Sequence, residues 1–311
     1  MKPARAQIRL LSLLLKVAIV SAALIYLVQH TSRSALQVQF SYFADAPLYV
    51  WLGVFLLLPL NWSLEALKWK LLVKPLHQLS FLQALNAVFA GVTAGTATPN
   101  RIGESAGRIF LLPRTVRVEA LGLAAAGSAA QLAVTTFAAA AGILLTQDLL
   151  LLPEINLLQA ALFGLAVLAV CFAAFLLVRR NVQYQKLIST LRGITAKTVA
   201  VILALSALRY LVYLFQFMLL LRAAGIDLDA FLLAAAVAVT YGLITLIPTF
   251  AFTEIVVRGS AAAAVIGGMS GNEPAALSAA LVLWAVNVGL PAIAGIWPVL
   301  HFRFFKADDH E

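Results

Sequence analysis

The chain alternates between long apolar runs and short polar segments, and this alternation predicts a series of membrane-crossing helices. A helix needs about 20 mostly apolar residues to cross the hydrocarbon core of a bilayer. Several runs come close to this length or exceed it, and short segments with charged residues separate them. The predicted full spans are 10–29, 47–61, 118–146, 155–178, 198–221 and 274–300.

Two further stretches, 81–112 and 229–268, are apolar but are interrupted by prolines, small residues and charged residues. The segment 100–112 is short and carries Arg101, Glu104 and Arg108, which disfavours a crossing that faces lipid. Irregular backbone is tolerated at membrane depth where protein surrounds it. We therefore expect two re-entrant or broken-helix hairpins in addition to about six full spans.

Composition agrees with this pattern. Hydrophobic residues make up 63% of the chain and charged residues 11%, and the mean hydropathy is +0.97. Soluble domains carry about 25% charged residues, so a soluble core could not hide this much apolar surface. The sequence predicts an all-α polytopic helical membrane protein that forms a single transmembrane domain over residues 1–311.

The net charge of +9 is explained by topology rather than by nucleic-acid binding. Lysine and arginine concentrate at the N-terminus, in segments 62–80 and 179–197, and in the tail after residue 301. The positive-inside rule places such segments in the cytoplasm. We expect a multi-pass protein of the bacterial cytoplasmic (inner) membrane, with both termini cytoplasmic.

This topology makes the hairpin 81–112 enter from the cytoplasmic side and the hairpin 229–268 enter from outside. Each hairpin is flanked by two spans, which predicts two units of opposite orientation, 47–146 and 198–300. Both hairpins also show a proline, a short gap, a glutamate, and an arginine four residues later. Inverted repeats with broken helices are typical of transporters whose substrate site lies near the bilayer midplane.

Charged residues in the hairpins are the first candidates for a binding site. As a helix, the segment after Asn100 places Arg101, Glu104 and Arg108 on one face. In the second hairpin, Glu254 and Arg258 share a face in the same way. Each Glu–Arg pair could simply neutralise itself and hold its hairpin in place. Two such pairs in mirrored hairpins favour the alternative, a site for a polar substrate.

Prolines precede both helices. Pro99 and Pro248 suit the first turn of a helix, where a proline costs no hydrogen bond. The helix N-terminus then lies inside the membrane protein and carries a partial positive charge. With arginines beside it, such an end suits a lipid phosphate.

Polar residues within the spans complete the set of candidates. Arg209 lies near the middle of span 198–221 and must face the protein interior or a wet cavity, with Glu104 or Glu254 as its expected partner. We expect interhelical hydrogen bonds from three further polar residues, Gln131, Gln216 and Asn287.

The segment 61–76 combines lysines with two tryptophans after the predicted span 47–61. This composition is typical of an amphipathic helix that lies at the headgroup level of an anionic leaflet. We therefore predict an interfacial helix that includes Trp62, Lys68, Trp69, Lys70 and Lys74.

The hairpin sequences resemble a known family. "TPNRIGESAGRIFLL" resembles the first signature of the lysylphosphatidylglycerol synthase transmembrane-region family, a group of flippase-like integral membrane proteins. "IPTFAFTEIVVRGSAAAAVIG" resembles the second signature, and "EALKWKLL" resembles the basic segment after an early span. The chain departs from the family where Thr249, Phe250 and Ala251 replace the usual glycines, and where no aminoacyl-transferase domain follows the last span.

The resemblance implies translocation of aminoacylated phospholipids, glycolipids or polyprenyl-linked lipids. It assigns the hairpin positions as site residues, with Pro99, Gly103 and Pro248 shaping the hairpins. Together with Arg209, the expected substrate-binding residues are Arg101, Glu104, Arg108, Glu254 and Arg258.

We therefore expect a lipid flippase or translocase for a headgroup that usually carries phosphate. No catalytic constellation, metal-ligand cluster or cofactor motif is evident, so neither enzyme activity nor a cofactor is expected. Two alternatives stay open. One is an accessory subunit that presents a lipid-linked acceptor to a membrane glycosyltransferase, and the other is a membrane enzyme that modifies lipids.

Overall fold

The computed structural model describes residues 41–96, 98, 101–146, 190–191, 193–247 and 253–301. The predicted spans 10–29 and 155–178 lie outside the described residues, as do Pro99 and Pro248. All regular elements of the described part are helical, and the protein is an all-α polytopic helical membrane protein.

Four helices in the described part are long and apolar enough to cross a membrane. They correspond to the predicted spans 47–61, 118–146, 198–221 and 274–300, but the first is considerably longer than predicted. Their bounds are Leu48–Val73, Arg114–Thr146, Ala196–Ala223 and Glu273–His301.

The first of these helices, α1 (Leu48–Val73), overturns the predicted interfacial helix at 61–76. α1 continues through Pro59 without a break, and the side chains of Lys68 and Trp69 are buried among other helices. Lys68 can be buried because Glu65, one turn earlier, lies 2.8 Å from its ammonium group. Of the predicted interfacial residues, Lys70 is only partly buried and Lys74 is exposed.

The first predicted hairpin consists of two helices, α2 (Phe81–Thr96) and α3 (Ile102–Phe110). A capping box begins α2, because Ser80 and Gln83 each accept a hydrogen bond from the other's backbone N–H. Glycines let the two helices approach closely: a Cβ atom on Gly107 would lie 2.6 Å from the Ala90 carbonyl oxygen. The hairpin is therefore packed backbone against backbone.

The second predicted hairpin also consists of two helices, α6 (Ala230–Leu246) and α7 (Glu254–Ala262). Asp229 caps α6, and hydrogen bonds from the backbone N–H groups of Phe231 and Leu232 hold the pKa of its carboxyl below the ordinary value. After α7 the chain passes through a π-helical turn, Ala263–Gly267.

The remaining helices are long. α4 (Arg117–Thr146) follows a short 3-10 turn at Arg114–Val116, and α5 (Ala196–Ala223) begins after the cap residue Thr195. The last span begins with α8 (Glu273–Trp284) and continues after a second π-helical turn, Ala285–Gly289. It ends with α9 (Leu290–Ala294) and α10 (Ile296–His301).

Each half of the described chain therefore has a long helix, two short helices and a long helix, in the same order. The long last helix of each half packs against the first short helix of the other half. A Cβ atom on Gly142 of α4 would lie 2.7 Å from the Ala235 carbonyl oxygen of α6. In the same way, a Cβ atom on Gly295 would collide with the Phe89 carbonyl oxygen of α2.

Candidate functional site

Four helices, α1, α3, α5 and α7, bring charged side chains together inside the protein. None of these side chains is more than 23% exposed. We call this group the buried charged cluster. Its members are Glu65, Lys68, Arg101, Glu104, Arg108, Arg209, Glu254 and Arg258.

Glu65 of α1 is the acceptor at one end of the cluster. Its carboxylate oxygens lie 2.8 Å from Lys68 Nζ, 2.6 Å from Arg108 Nη1 and 2.8 Å from Arg209 Nη1. Three positively charged side chains from three helices thus pair with one carboxylate that is 3% exposed. The sequence analysis did not select Glu65, because it counted the residue in a cytoplasmic loop beyond the end of the second span.

The hairpin pairs form as their spacing predicts. Arg258 lies 2.9 Å from Glu254, and Arg108 forms an ion pair with Glu104. Arg101 connects the two hairpins, because it lies 3.3 Å from Glu104 in its own hairpin and 3.4 Å from Glu254 in the other.

Arg101 also has an unusual backbone. Its φ of 54° is in the left-handed region. In the described part of the chain, no other residue except glycine has a positive φ. Residues held in such strained conformations concentrate at functional sites. The strain occurs directly at the start of α3, where the side chain reaches across to Glu254.

The prediction of the ion-pair partner of Arg209 was wrong. Its guanidinium binds Glu65 rather than Glu104 or Glu254, and its Nε donates to Asn61 Oδ1 at 2.9 Å. The same guanidinium lies over the rings of Trp62 and Tyr213, with 5.2 Å and 5.7 Å to the ring centroids. Sequence spacing could not predict this contact, because it joins α1 to α5.

A neutral hydrogen-bond chain continues from Asn61. Asn61 donates to Asn287 Oδ1 at 2.8 Å, Asn287 donates to Gln216 Oε1 at 3.1 Å, and Gln216 donates to the Val54 carbonyl at 2.8 Å. Asn287 lies in the second π-helical turn, a distortion that is frequent at functional sites. Gln131 also donates to the Ser206 carbonyl at 3.3 Å, so the predicted interhelical hydrogen bonds are confirmed.

The cluster has more basic than acidic groups. In the part of the chain that the structure describes, it holds five arginine or lysine side chains and three glutamates, which gives a formal charge of +2 when all are ionised. Uncompensated charge is expensive inside a membrane protein. An anion bound at the cluster would compensate it.

A polar cavity of about 230 Å³ opens beside the cluster, between α1 and five other helices. Four charged side chains reach its wall, whereas Arg108 and Glu254 lie behind it. The lining residues are Trp62, Arg101, Glu104, Gln131, Thr135, Arg209, Tyr210, Tyr213, Tyr241, Ile244, Thr245 and Arg258.

Several neutral groups on this wall have no hydrogen-bond partner. These buried atoms are Trp62 Nε1, Gln131 Oε1, the Tyr210 hydroxyl and the Tyr241 hydroxyl. Buried polar atoms in native proteins are almost always paired, often with water or ligand. Each of these atoms has almost no accessible surface, so none of them is open to the cavity as the side chains stand.

A second cavity of about 240 Å³ lies beside the first and is apolar. Trp62 lines both cavities, so its indole forms the wall between them. The other lining residues come from α1, α2 and the last span: Leu58, Pro59, Ser63, Leu85, Phe89, Leu290, Pro291 and Ala294. The sequence analysis did not predict this cavity, which depends on how three separate helices meet.

The structure thus brings the expected substrate-binding residues into one cluster, but only some of them line the cavity. Arg101, Glu104, Arg209 and Arg258 reach the cavity wall, while Arg108 and Glu254 brace them from behind. Gly103 packs in the first hairpin, where its backbone N–H donates to Thr98 Oγ1 at 2.7 Å. Within the described residues, no group of histidine, cysteine or acidic residues is arranged to hold a metal.

Taken together, the long apolar helices, the helix pairs of the two hairpins and the buried charged cluster define a multi-pass helical membrane protein with a polar cavity. Residues 13–295 match the model of the family described as the lysylphosphatidylglycerol synthase TM region. The match covers most of the chain, so the protein belongs to this family and is a lipid-related membrane protein. Searches among curated proteins and among solved structures found no match.

Proposed function

We propose that this protein moves a lipid with a phosphate-containing headgroup between the two leaflets of its membrane. The observation that carries the proposal is a buried charged cluster with a +2 formal charge beside a polar cavity, in a protein of a lipid-related family. The headgroup would enter the polar cavity, and its phosphate would contact arginines on the wall.

Three arginines reach this wall, and they differ in how firmly they are held. Arg209 is fixed by Glu65 and Asn61, so it provides a stationary positive charge. Arg101 and Arg258 share the single carboxylate of Glu254 and are each 21% exposed. These two can turn toward a phosphate, and when the cavity is empty Glu254 compensates part of their positive charge. Charge-assisted, bidentate contacts are the form in which arginine binds phosphate best.

The apolar cavity supports a lipid rather than a free anion as the substrate. It adjoins the polar cavity at Trp62, and its lining residues, which are apolar except for Ser63, come from three helices. An acyl chain in this space would keep the lipid tail in an apolar environment while the headgroup is in the polar cavity. In this arrangement the headgroup and the acyl chain of one lipid would lie in different cavities that meet at Trp62.

Translocation also requires a change in which leaflet the cavity faces. We propose that the units 47–146 and 198–300 are an inverted repeat, on the basis of their matching element order and the reciprocal packing at Gly142 and Gly295. Arg101 joins the two units through Glu254, so a phosphate that draws Arg101 away would loosen the contact between them. The proposed setting is the bacterial cytoplasmic membrane, with both termini cytoplasmic.

Reconstitution into liposomes tests this function. Fluorescent phosphatidylglycerol is placed in both leaflets, and the fraction that an impermeant quencher reaches is followed over time. We expect the wild-type protein to speed translocation above that of protein-free vesicles. The double variant Arg101→Gln/Arg258→Gln should return the rate to that of protein-free vesicles.

Arg114→Gln is the matched control, because Arg114 is exposed and lies outside the cluster. It should translocate lipid as the wild type does. If the double variant translocated lipid at the wild-type rate, Arg101 and Arg258 would not be part of the binding site. A wild-type rate equal to that of empty vesicles, for phosphatidylglycerol and for the other anionic lipids tested, would refute the function itself.

A further inference from the structure

We propose that the apolar cavity holds an acyl chain that is joined to its lipid by an ester, and that the Ser63 hydroxyl donates a hydrogen bond to the ester carbonyl. The inference rests on the proposed function and adds a specificity for the linkage between headgroup and tail. It makes Ser63 a specificity-determining residue, a role that the sequence analysis did not give it.

Ser63 is the polar exception among the residues that line the apolar cavity. The other lining side chains are hydrocarbon, apart from the indole of Trp62. Trp62 Nε1 has almost no accessible surface, so it is closed to a molecule in the cavity as the side chains stand. Among the described lining side chains, the hydroxyl of Ser63 is therefore the hydrogen-bond donor that a ligand can reach.

This hydroxyl is free to bind a ligand. Serine and threonine hydroxyls inside helices often donate to the backbone carbonyl four residues earlier. Four hydroxyls in other helices of this protein do so, those of Thr93, Thr135, Thr240 and Ser278. Ser63 differs, because within the described residues its hydroxyl has no hydrogen-bond partner, and the residue is only partly buried.

An ester carbonyl is the group that suits such a donor at the edge of hydrocarbon. A hydroxyl that a plain hydrocarbon chain covers loses its contact with water and gains no partner, which is unfavourable. The carbonyl of an ester accepts a hydrogen bond and is the first group of the acyl chain. The chain can therefore fill the cavity while its carbonyl pairs with Ser63, whereas an ether-linked chain has no carbonyl to offer.

The position of Ser63 agrees with the position of an ester in a glycerolipid. Ser63 directly follows Trp62 on α1, so the two residues differ in height along the helix by only about 1.5 Å. The polar and the apolar cavity meet at Trp62. In a glycerolipid the ester carbonyls lie between the phosphate and the hydrocarbon, so a lipid that occupies both cavities presents an ester at the level of Ser63.

Exposed residues at the edge of the apolar cavity give an acyl chain a way in. Pro59 and Leu290 line the cavity and are exposed, Leu290 to 44%. Both residues belong to helices that are long and apolar enough to cross a membrane. A chain would therefore enter this cavity sideways from the bilayer, without passing through water.

The test compares two lipids that differ only in the linkage of their chains. Purified protein in lipid nanodiscs is titrated with dipalmitoyl phosphatidylglycerol, an ester lipid, or with dihexadecyl phosphatidylglycerol, its ether analogue. The headgroup, the charge and the chain length are the same in both. Native mass spectrometry measures binding, and we expect the ester lipid to bind about fivefold more tightly, the effect of one neutral hydrogen bond.

Ser63→Ala removes the hydroxyl at a helical position where alanine is well tolerated. The variant should bind the ester lipid as weakly as the ether lipid. Its binding of the ether lipid should equal that of the wild type, which also shows that the variant is folded. Ser128→Ala is the matched control, because Ser128 is an exposed serine on α4 outside both cavities, and it should keep the full preference.

Two results would overturn the inference: equal binding of the two lipids by the wild type, or a Ser63→Ala protein that keeps the preference for the ester lipid. Failure of the proposed function looks different. The wild type would then not speed translocation in liposomes, and the double variant Arg101→Gln/Arg258→Gln would bind both lipids as the wild type does. The preference for the ester lipid, and its loss in Ser63→Ala, would remain.

Discussion

At the scale of single residues, Glu65 has the largest set of charged contacts in the described part of the chain. It holds a lysine and two arginines from α1, α3 and α5 with one buried carboxylate. Such a group does more than neutralise a neighbour, because it fixes where the positive charge of Arg209 stands in the cavity wall. Removing it would leave three buried cations with one partner fewer.

Glu65→Gln should therefore lower the free energy of unfolding by about 3–5 kcal/mol, the usual cost of breaking a buried ion pair from one side. Thermal unfolding in detergent measures the loss. Adding Lys68→Met should recover part of it, because that change removes one of the unpaired cations. Glu119→Gln, at a partly exposed position near the start of α4, should change stability little. Equal stability of the Glu65 and Glu119 variants would contradict this role.

The charged residues also show what sequence can predict at this scale. The pairs Glu104–Arg108 and Glu254–Arg258 follow from a spacing of four residues on a helix, and the structure contains both. Glu65 and its link to Arg209 connect different helices, so no local spacing encodes them. Counting loop charges led the sequence analysis to miss Glu65, because the count treated the residues after the predicted span as a solvated segment.

At the scale of elements, the first short helix of each half packs closely against the last long helix of the other half. Close approach depends on small residues, as is usual where helices meet in a membrane. Gly295 is the clearest case, because a Cβ atom there would collide with the Phe89 carbonyl and with Thr93 Oγ1 on α2. The Thr93 hydroxyl donates to the Ala292 carbonyl at 2.7 Å across the same contact.

Gly295→Ala should lower the free energy of unfolding by about 1–3 kcal/mol, because the added methyl overfills a tight contact. Gly268→Ala is the matched control, since a Cβ atom there meets nothing within 4 Å. In a helix this control change should leave stability the same or raise it by up to about 1 kcal/mol. Thermal unfolding of both variants compares them, and equal melting temperatures would show that the contact at Gly295 is not tight.

The helices were predicted well where apolar length or helix-breaking residues determine them, and less well at their ends. The order of spans and hairpins follows from apolar length and from the interruptions at 81–112 and 229–268. The end of α1 was predicted 12 residues too early, because lysines were expected to lie in headgroups. The buried carboxylate that accommodates Lys68 reversed this expectation.

At the scale of the whole molecule, a polar and an apolar cavity lie on opposite sides of Trp62. Neither can be predicted from one segment, because each is the space left between helices that are far apart in sequence. What the sequence did predict is the chemistry of the polar cavity, through arginines that could not face lipid.

Filling the apolar cavity should slow lipid translocation without harming the charged cluster. Leu85→Trp on α2 places a larger side chain in this cavity, so an acyl chain would no longer fit beside Trp62. We expect the liposome assay to show a translocation rate at least several-fold lower. Leu82→Trp is the control on the same helix, because Leu82 is 68% exposed and lies outside the cavity. A Leu85→Trp protein as active as the control would show that the acyl chain takes another path.

The indole of Trp62 has one further consequence. It is 2% exposed, it braces Phe89 edge to face, and it lies under the guanidinium of Arg209. Its ring therefore lies where the polar and the apolar cavity meet. In the proposed function a passing lipid would straddle this ring, so the position of one indole would set where the transported molecule bends.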